Sequence, residues 1–231
     1  MDYIFTGFIQ AFQLLFSGDE QTYSAIFVTV RVTSYSMTAS LLMGIPLGFM
    51  LGHFEFKGKR PLRLLVDTAL ALPTVFIGLV VYAFLSNRGP LGHMGLLFTL
   101  PGIAIGQTIL ALPIVTALTA AAVESMDRHL RTTLISLGAD RRQLLLSSLW
   151  EVRFSITAAA LTAFGRVMTE VGISMMVGGN IKWHTRTITT AIALETGKGQ
   201  FAVGIALGLI LITLALLVNL AMSGLKRLSG Q

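Results

Sequence analysis

FAVGIALGLILITLALLVNLAMSGL, residues 201–225, is a run of 25 residues without Asp, Glu, Lys or Arg. About 20 apolar residues in helical conformation cross the roughly 30 Å of bilayer hydrocarbon, and helices of soluble cores are rarely so long and so bare. Residues 32–54 and 96–123 read the same way, and residues 64–85 carry only Asp67. A fifth candidate, residues 154–179, is interrupted by Arg166 and Glu170, whose i, i+4 spacing predicts one helical face. The sequence thus predicts five transmembrane helices.

Composition agrees. Of 231 residues, 54% are hydrophobic and 12% charged, half the usual share of about 25%. With a mean hydropathy of +0.76, too little polar material remains to cover a globular surface. The chain has no Cys, which excludes a disulfide scaffold, a thiolate metal site and a thiol nucleophile. Its formal charge of +6 sits on basic residues between the apolar runs, a distribution that speaks against a nucleic-acid partner.

Sorting the basic residues orients the chain. Lys57, Lys59, Arg60, Arg63, Arg128, Arg131, Arg141, Arg142, Arg153, Lys226 and Arg227 flank one side, and Arg88, Lys182, Arg186 and Lys198 the other. Eleven against four places the first group in the cytoplasm. Five spans with a cytoplasmic C-terminus then leave the N-terminus outside, in accord with Asp2, Asp19 and Glu20 and with no basic residue before Arg31. The apolar residues 3–16 are too short to cross and lack the charged start of a signal peptide, so an interfacial helix is predicted. The predicted organisation is this helix over 1–21, a membrane domain over 22–225 and a short cytoplasmic tail over 226–231.

No G-x-x-x-x-G-K-[ST], H-E-x-x-H or G-x-S-x-G motif occurs, and His53, His93, His129 and His184 fall on both sides of the membrane. Neither catalytic residues nor a cofactor or metal are predicted, and energy must come from a gradient or from another chain. Gly44, Gly48 and Gly52, Gly102 and Gly106, and Gly204 and Gly208 recur four apart and predict close helix packing, with a dimer seam as the alternative. Pro46, Pro73, Pro101 and Pro113 are candidate kinks. Residues 125–153 read as two helices: Asp127 caps the first, Leu130, Leu134 and Leu137 form its stripe, Gly138 ends it in a left-handed cap, and Arg141 and Arg142 open the second. Such a pair could lie on anionic lipid or dock a cytoplasmic partner.

The run Arg131-Thr-Thr-Leu-Ile-Ser-Leu-Gly138-Ala-Asp resembles the cytoplasmic loop of ABC-importer permeases, whose pattern is Glu-Ala-Ala, three residues, Gly, then nine residues before Ile-x-Leu-Pro. Gly138 matches the glycine. Thr132, Thr133 and Leu134 stand at the Glu-Ala-Ala positions, and Ser148, Leu149, Trp150 and Glu151 at Ile-x-Leu-Pro. Arg166-Val-Met-Thr-Glu170-Val-Gly172 is similar to the Arg-x-x-x-Glu-x-Gly signature of the oxyanion branch of type I permeases, which carry sulfate, molybdate and tungstate. Gly78 to Tyr82, Ser86 to Gly92, Val177 to Ile181, Thr185 to Thr190 and Leu194 to Lys198 look like the tungstate type, and the resemblance runs from Thr22 to Leu225.

The resemblance implies an all-α integral membrane fold with five transmembrane helices, an N-terminal interfacial helix and a cytoplasmic coupling helix. It implies a permease in the cell inner membrane that forms the pathway as a homodimer, driven by two copies of a cytoplasmic ABC ATPase and fed by an extracytoplasmic substrate-binding protein, with membrane lipid around it. Arg131, Thr132, Leu134, Gly138, Ala139, Asp140 and Arg141 are then the ATPase-coupling residues. Thr74, Arg166, Thr169 and Glu170 are candidate pathway residues, with the 185–190 threonines as further transient contacts. Arg166 and Glu170, one turn apart, are expected to satisfy each other, while Arg166 can instead draw a dianion. The alternatives are a molybdate or sulfate permease or, from another class, a self-sufficient secondary transporter, which would show more intramembrane carboxylates than Asp67 and Glu170.

Overall fold

The computed structural model describes residues 2–126 and 136–228, and among them ten α-helices, one short 3-10 helix and no strand. The helices are α1 (Asp2–Phe16), α2 (Glu20–His53), α3 (Lys59–Ala69), α4 (Thr74–Leu85), α5 (Leu100–Glu124), α6 (Arg141–Glu151), α7 (Arg153–Met168), α8 (Gly172–Gly178), α9 (Ile188–Gly197) and α10 (Phe201–Leu228). By length and composition three of them, α2, α5 and α10, can each cross a bilayer, and five spans result if the bent pairs α3–α4 and α6–α7 each count as one.

The centre of the bundle is the pair α2 and α5. Asp19 caps α2, its carboxylate accepting from Thr22 N at 2.8 Å, and Thr99 caps α5, its hydroxyl accepting from Gly102 N at 3.2 Å. A Cβ at Gly44 would meet Val115, one at Gly48 would meet Thr116 and Thr119, and one at Gly52 would meet Ala120 and Val123. Residue numbers climb together on both helices, so they run parallel, and the predicted glycine seam closes within one chain. Both helices continue through Pro46 and Pro113, and Pro73 and Pro101 lie at helix starts.

Parallel α2 and α5 require a return between them, supplied by α3 and α4. Residues 64–85 are not the single helix expected: α3 and α4 meet at 101°. Pro73 offers no N–H and disfavours helical backbone at Leu72, so the helix stops and restarts. No residue of α3 is buried, whereas α4 buries Ile77, Gly78, Val81 and Leu85. Residues 154–179 are likewise two helices, α7 and α8, separated at 169–171. The N-terminal helix α1 rests on the first turns of α10, where a Cβ at Gly7 would meet Ala202 and Ile205.

Candidate functional site

The break between α7 and α8 organises the polar interior. Thr169 ends α7, and Glu170, 3% exposed, turns its carboxylate onto the next helix, Oε1 accepting from Ile173 N at 3.1 Å. Arg166 is exposed on α7, and the two form no ion pair. The expected mutual satisfaction therefore fails: i, i+4 neighbours meet only if the helix continues, and α7 stops at Met168. Thr74 and Glu170 instead converge on Gly172, where a Cβ would lie 3.3 Å from Thr74 Oγ1 and 3.3 Å from Glu170 Oε1. The four candidate pathway residues thus divide, Thr74 and Glu170 around Gly172, Arg166 and Thr169 on the exposed face of α7 together with Thr162.

The threonines of 185–190 are buried and bonded within the chain. Thr187 and Thr190 form a capping box at the start of α9, Thr189 Oγ1 donates to Glu170 O at 2.9 Å, and Thr185 Oγ1 donates to Gly178 O. Ile188 N donates to Thr29 Oγ1 of α2 at 2.9 Å. Their hydroxyls fix the α8–α9 connection, and Thr185 also lines a pocket beside the start of α5. Sequence reasoning also missed a buried bridge across three helices: Ser36 Oγ donates to Gln107 Oε1 at 3.2 Å, and Gln107 Nε2 to Ser174 Oγ at 3.4 Å. Its signal was Gln107, the one side-chain amide within residues 96–123.

At the opposite end of the bundle, Arg131, Thr132 and Leu134 lie outside the described residues. Beyond them Gly138 has φ +82°, the left-handed conformation expected of it. Asp140 then opens α6 with a capping box, its carboxylate accepting from Gln143 N at 2.7 Å while Gln143 Oε1 accepts from Asp140 N at 2.9 Å. Arg141 is the first residue of α6, and Ala139 precedes the cap. Leu145 and Leu149 pack against Phe49, Val123 and Val152, so α6 is seated on the ends of α2 and α5. Its other side, with Leu146 and Trp150, is exposed, as is Leu137 at 78%. The Arg153 guanidinium lies over the rings of Trp150 and Phe154, at 4.3 and 4.2 Å, and joins α6 to α7.

The sequence profile of the family described as "binding-protein-dependent transport system inner membrane component" matches residues 44–228. The chain is similar to the tungstate uptake system permease protein TupB of Campylobacter jejuni, 51% identical over 227 residues that make up 98% of this chain and 95% of that one. It is 37% identical to TupB of Peptoclostridium acidaminophilum, covering 98% and 99% of the two chains. Among solved structures, a chain of a bacterial ABC transporter involved in the import of the acidic polysaccharide alginate superposes with a TM-score of 0.76 at 21% identity, over 96% of this chain and 84% of that one.

Proposed function

We propose, from the premise that this chain belongs to the family of binding-protein-dependent transport system inner membrane components, that it is the membrane-spanning permease of an ATP-driven importer of tungstate. The chain is a transport subunit of the inner membrane and crosses it several times. In this reading two copies enclose the pathway, two copies of a cytoplasmic ATPase drive it, and an extracytoplasmic binding protein delivers the oxyanion. The end carrying Lys59, Arg63, Gly138 and α6 is cytoplasmic, and the N-terminus is outside.

The observation that carries the reading is the polar face of α7. Arg166, with Thr162 and Thr169, is exposed on a helix of the membrane region, and a charge at bilayer depth does not face hydrocarbon. A second copy or a water-filled passage must cover it, and Arg166 there attracts a dianion without the many-donor cage that would trap it. Residues 131–141 couple this passage to the ATPase, motion at Leu137 and α6 reaching α7 through Arg153. In proteoliposomes holding the permease, its ATPase and its binding protein, tungstate uptake should require ATP and fall several-fold in Arg166→Gln, with the subunits still copurifying. Uptake that persists without the ATPase would overturn the reading in favour of a self-sufficient carrier.

A further inference from the structure

We propose that a pocket at the outer end of the bundle is a receiving site for a tetrahedral oxyanion. The proposal rests on the orientation and anionic cargo inferred above. The pocket, about 280 Å³, lies between α2, the start of α5 and the loop before α9, and is lined by Phe27, Arg31, Phe98, Thr99, Trp183 and His184. Val28 and Val32 pack against Ile103 and Ala104, so Arg31 sits where α5 begins, at the surface of the bundle rather than in its middle.

Charge separates this pocket from its neighbour. Arg31 and His184 line it and no carboxylate does, and Arg31 is within ion-pair distance of no carboxylate among the described residues. Its guanidinium lies 4.9 Å over the ring of Phe27, which orders it while leaving its donors unspent. A second outer pocket, about 300 Å³, has Arg186 and Lys198 but also Asp19 and Glu195, whose charges repel a dianion. Of these two pockets, the Arg31 pocket is the one that offers cationic and hydroxyl donors without that opposition.

Its walls are held in a costly conformation. The three non-glycine residues with positive φ among those described are Phe98 (61°), Asn180 (51°) and Trp183 (68°), and all belong to the two loops that wall this pocket. Such backbone persists where its surroundings over-determine it and collects at ligand sites. Here Phe98 N donates to Val177 O at 2.9 Å, and the amides of His184, Thr185 and Arg186 all donate to Ile181 O, at 3.1, 3.0 and 3.1 Å. This rigid frame is suited to accept an anion released above it.

A tetrahedral oxyanion can be the transported tungstate or the phosphodiester of a net-anionic lipid headgroup, and one experiment separates them. The chain has two tryptophans, so Trp150→Phe leaves Trp183 as the only reporter. With that permease carrying fluorotryptophan and assembled with its unlabelled ATPase in phosphatidylcholine nanodiscs, sodium tungstate should shift the Trp183 fluorine resonance saturably, beyond sodium chloride of equal ionic strength. Arg31→Gln should weaken this by about tenfold or more, the size of a lost charge-assisted hydrogen bond, with Arg31→Lys between. A tungstate response assigns the site to the transported ion. A change seen only when phosphatidylglycerol replaces phosphatidylcholine, and lost in Arg31→Gln, assigns it to the headgroup. Silence towards both, or a response that survives Arg31→Gln, overturns the site. Normal tungstate uptake beside a silent Trp183 refutes the site alone, while a titrating Trp183 in an importer that moves no oxyanion refutes the transport reading alone.

Discussion

Glu170 is a buried carboxylate surrounded by backbone: Oε1 takes the Ile173 amide, and its own carbonyl takes Thr189 Oγ1. Glu170→Gln keeps an acceptor at that position and should unfold at nearly the wild-type temperature in detergent. Glu170→Ala leaves the buried Ile173 amide unpaired and should cost about 1–3 kcal/mol. Because Arg166 does not reach Glu170, Arg166→Ala and Glu170→Ala should combine additively, and a coupling energy well beyond about 0.5 kcal/mol in the double variant would show that the two charges meet after all. The pair was legible as two unusual residues in an apolar run, but their relation was not. Spacing predicts a shared face only while the helix lasts, and the carboxylate that caps α8 is itself part of what ends it. The left-handed Gly138 was easier to place, since its signal is local in sequence.

Elements held together by close backbone approach should respond to a single methyl group. A Cβ at Gly48 would lie 2.5 Å from the Thr116 carbonyl oxygen and 2.7 Å from Thr119 Cβ, with backbone on the far side and no flexible tip to yield. Gly48→Ala should therefore separate α2 from α5 and cost about 1–3 kcal/mol by overpacking, read as a lower unfolding temperature. Gly208, at the same helical spacing on α10, meets nothing within 4 Å. Gly208→Ala should leave the unfolding temperature of the chain unchanged, and equal losses at both positions would refute the packing assignment. The repeat alone could not distinguish the two, because four-residue spacing marks a groove without marking its occupant. Apolar runs were legible as the later part of α2 and as α5 and α10, because each continues for the length of a span without Asp, Glu, Lys or Arg. They concealed the turn between α3 and α4, where hydropathy continues through Pro73 while the backbone does not. The seven-residue α8 and ten-residue α9 are too short for periodicity to declare, and hydroxyls and a carboxylate fix them instead.

At the scale of the whole molecule the folded chain has two ends of different chemistry. Where α2 and α5 finish, Lys59 and Arg63 lie 3.9 and 3.6 Å from the carboxylate of Glu124, beside α6. Where they start, Asp19, Arg186, Glu195 and Lys198 gather around one pocket. In the proposed orientation the end richer in basic residues stays in the cytoplasm, because translocating clustered Lys and Arg is unfavourable. The natural chain has no Cys, so single cysteines report without background. Exposed Ser17 and His93 should mark the outer end and exposed Ser125 the inner one. Gly92, beside His93, cannot serve, since a Cβ there would meet the Ser86 carbonyl at 2.3 Å. In intact cells a membrane-impermeant maleimide should label Ser17→Cys and His93→Cys, and Ser125→Cys should react only after lysis. The opposite pattern would turn the molecule over, placing the Arg31 pocket in the cytoplasm and Gly138 and α6 beyond the reach of any ATPase.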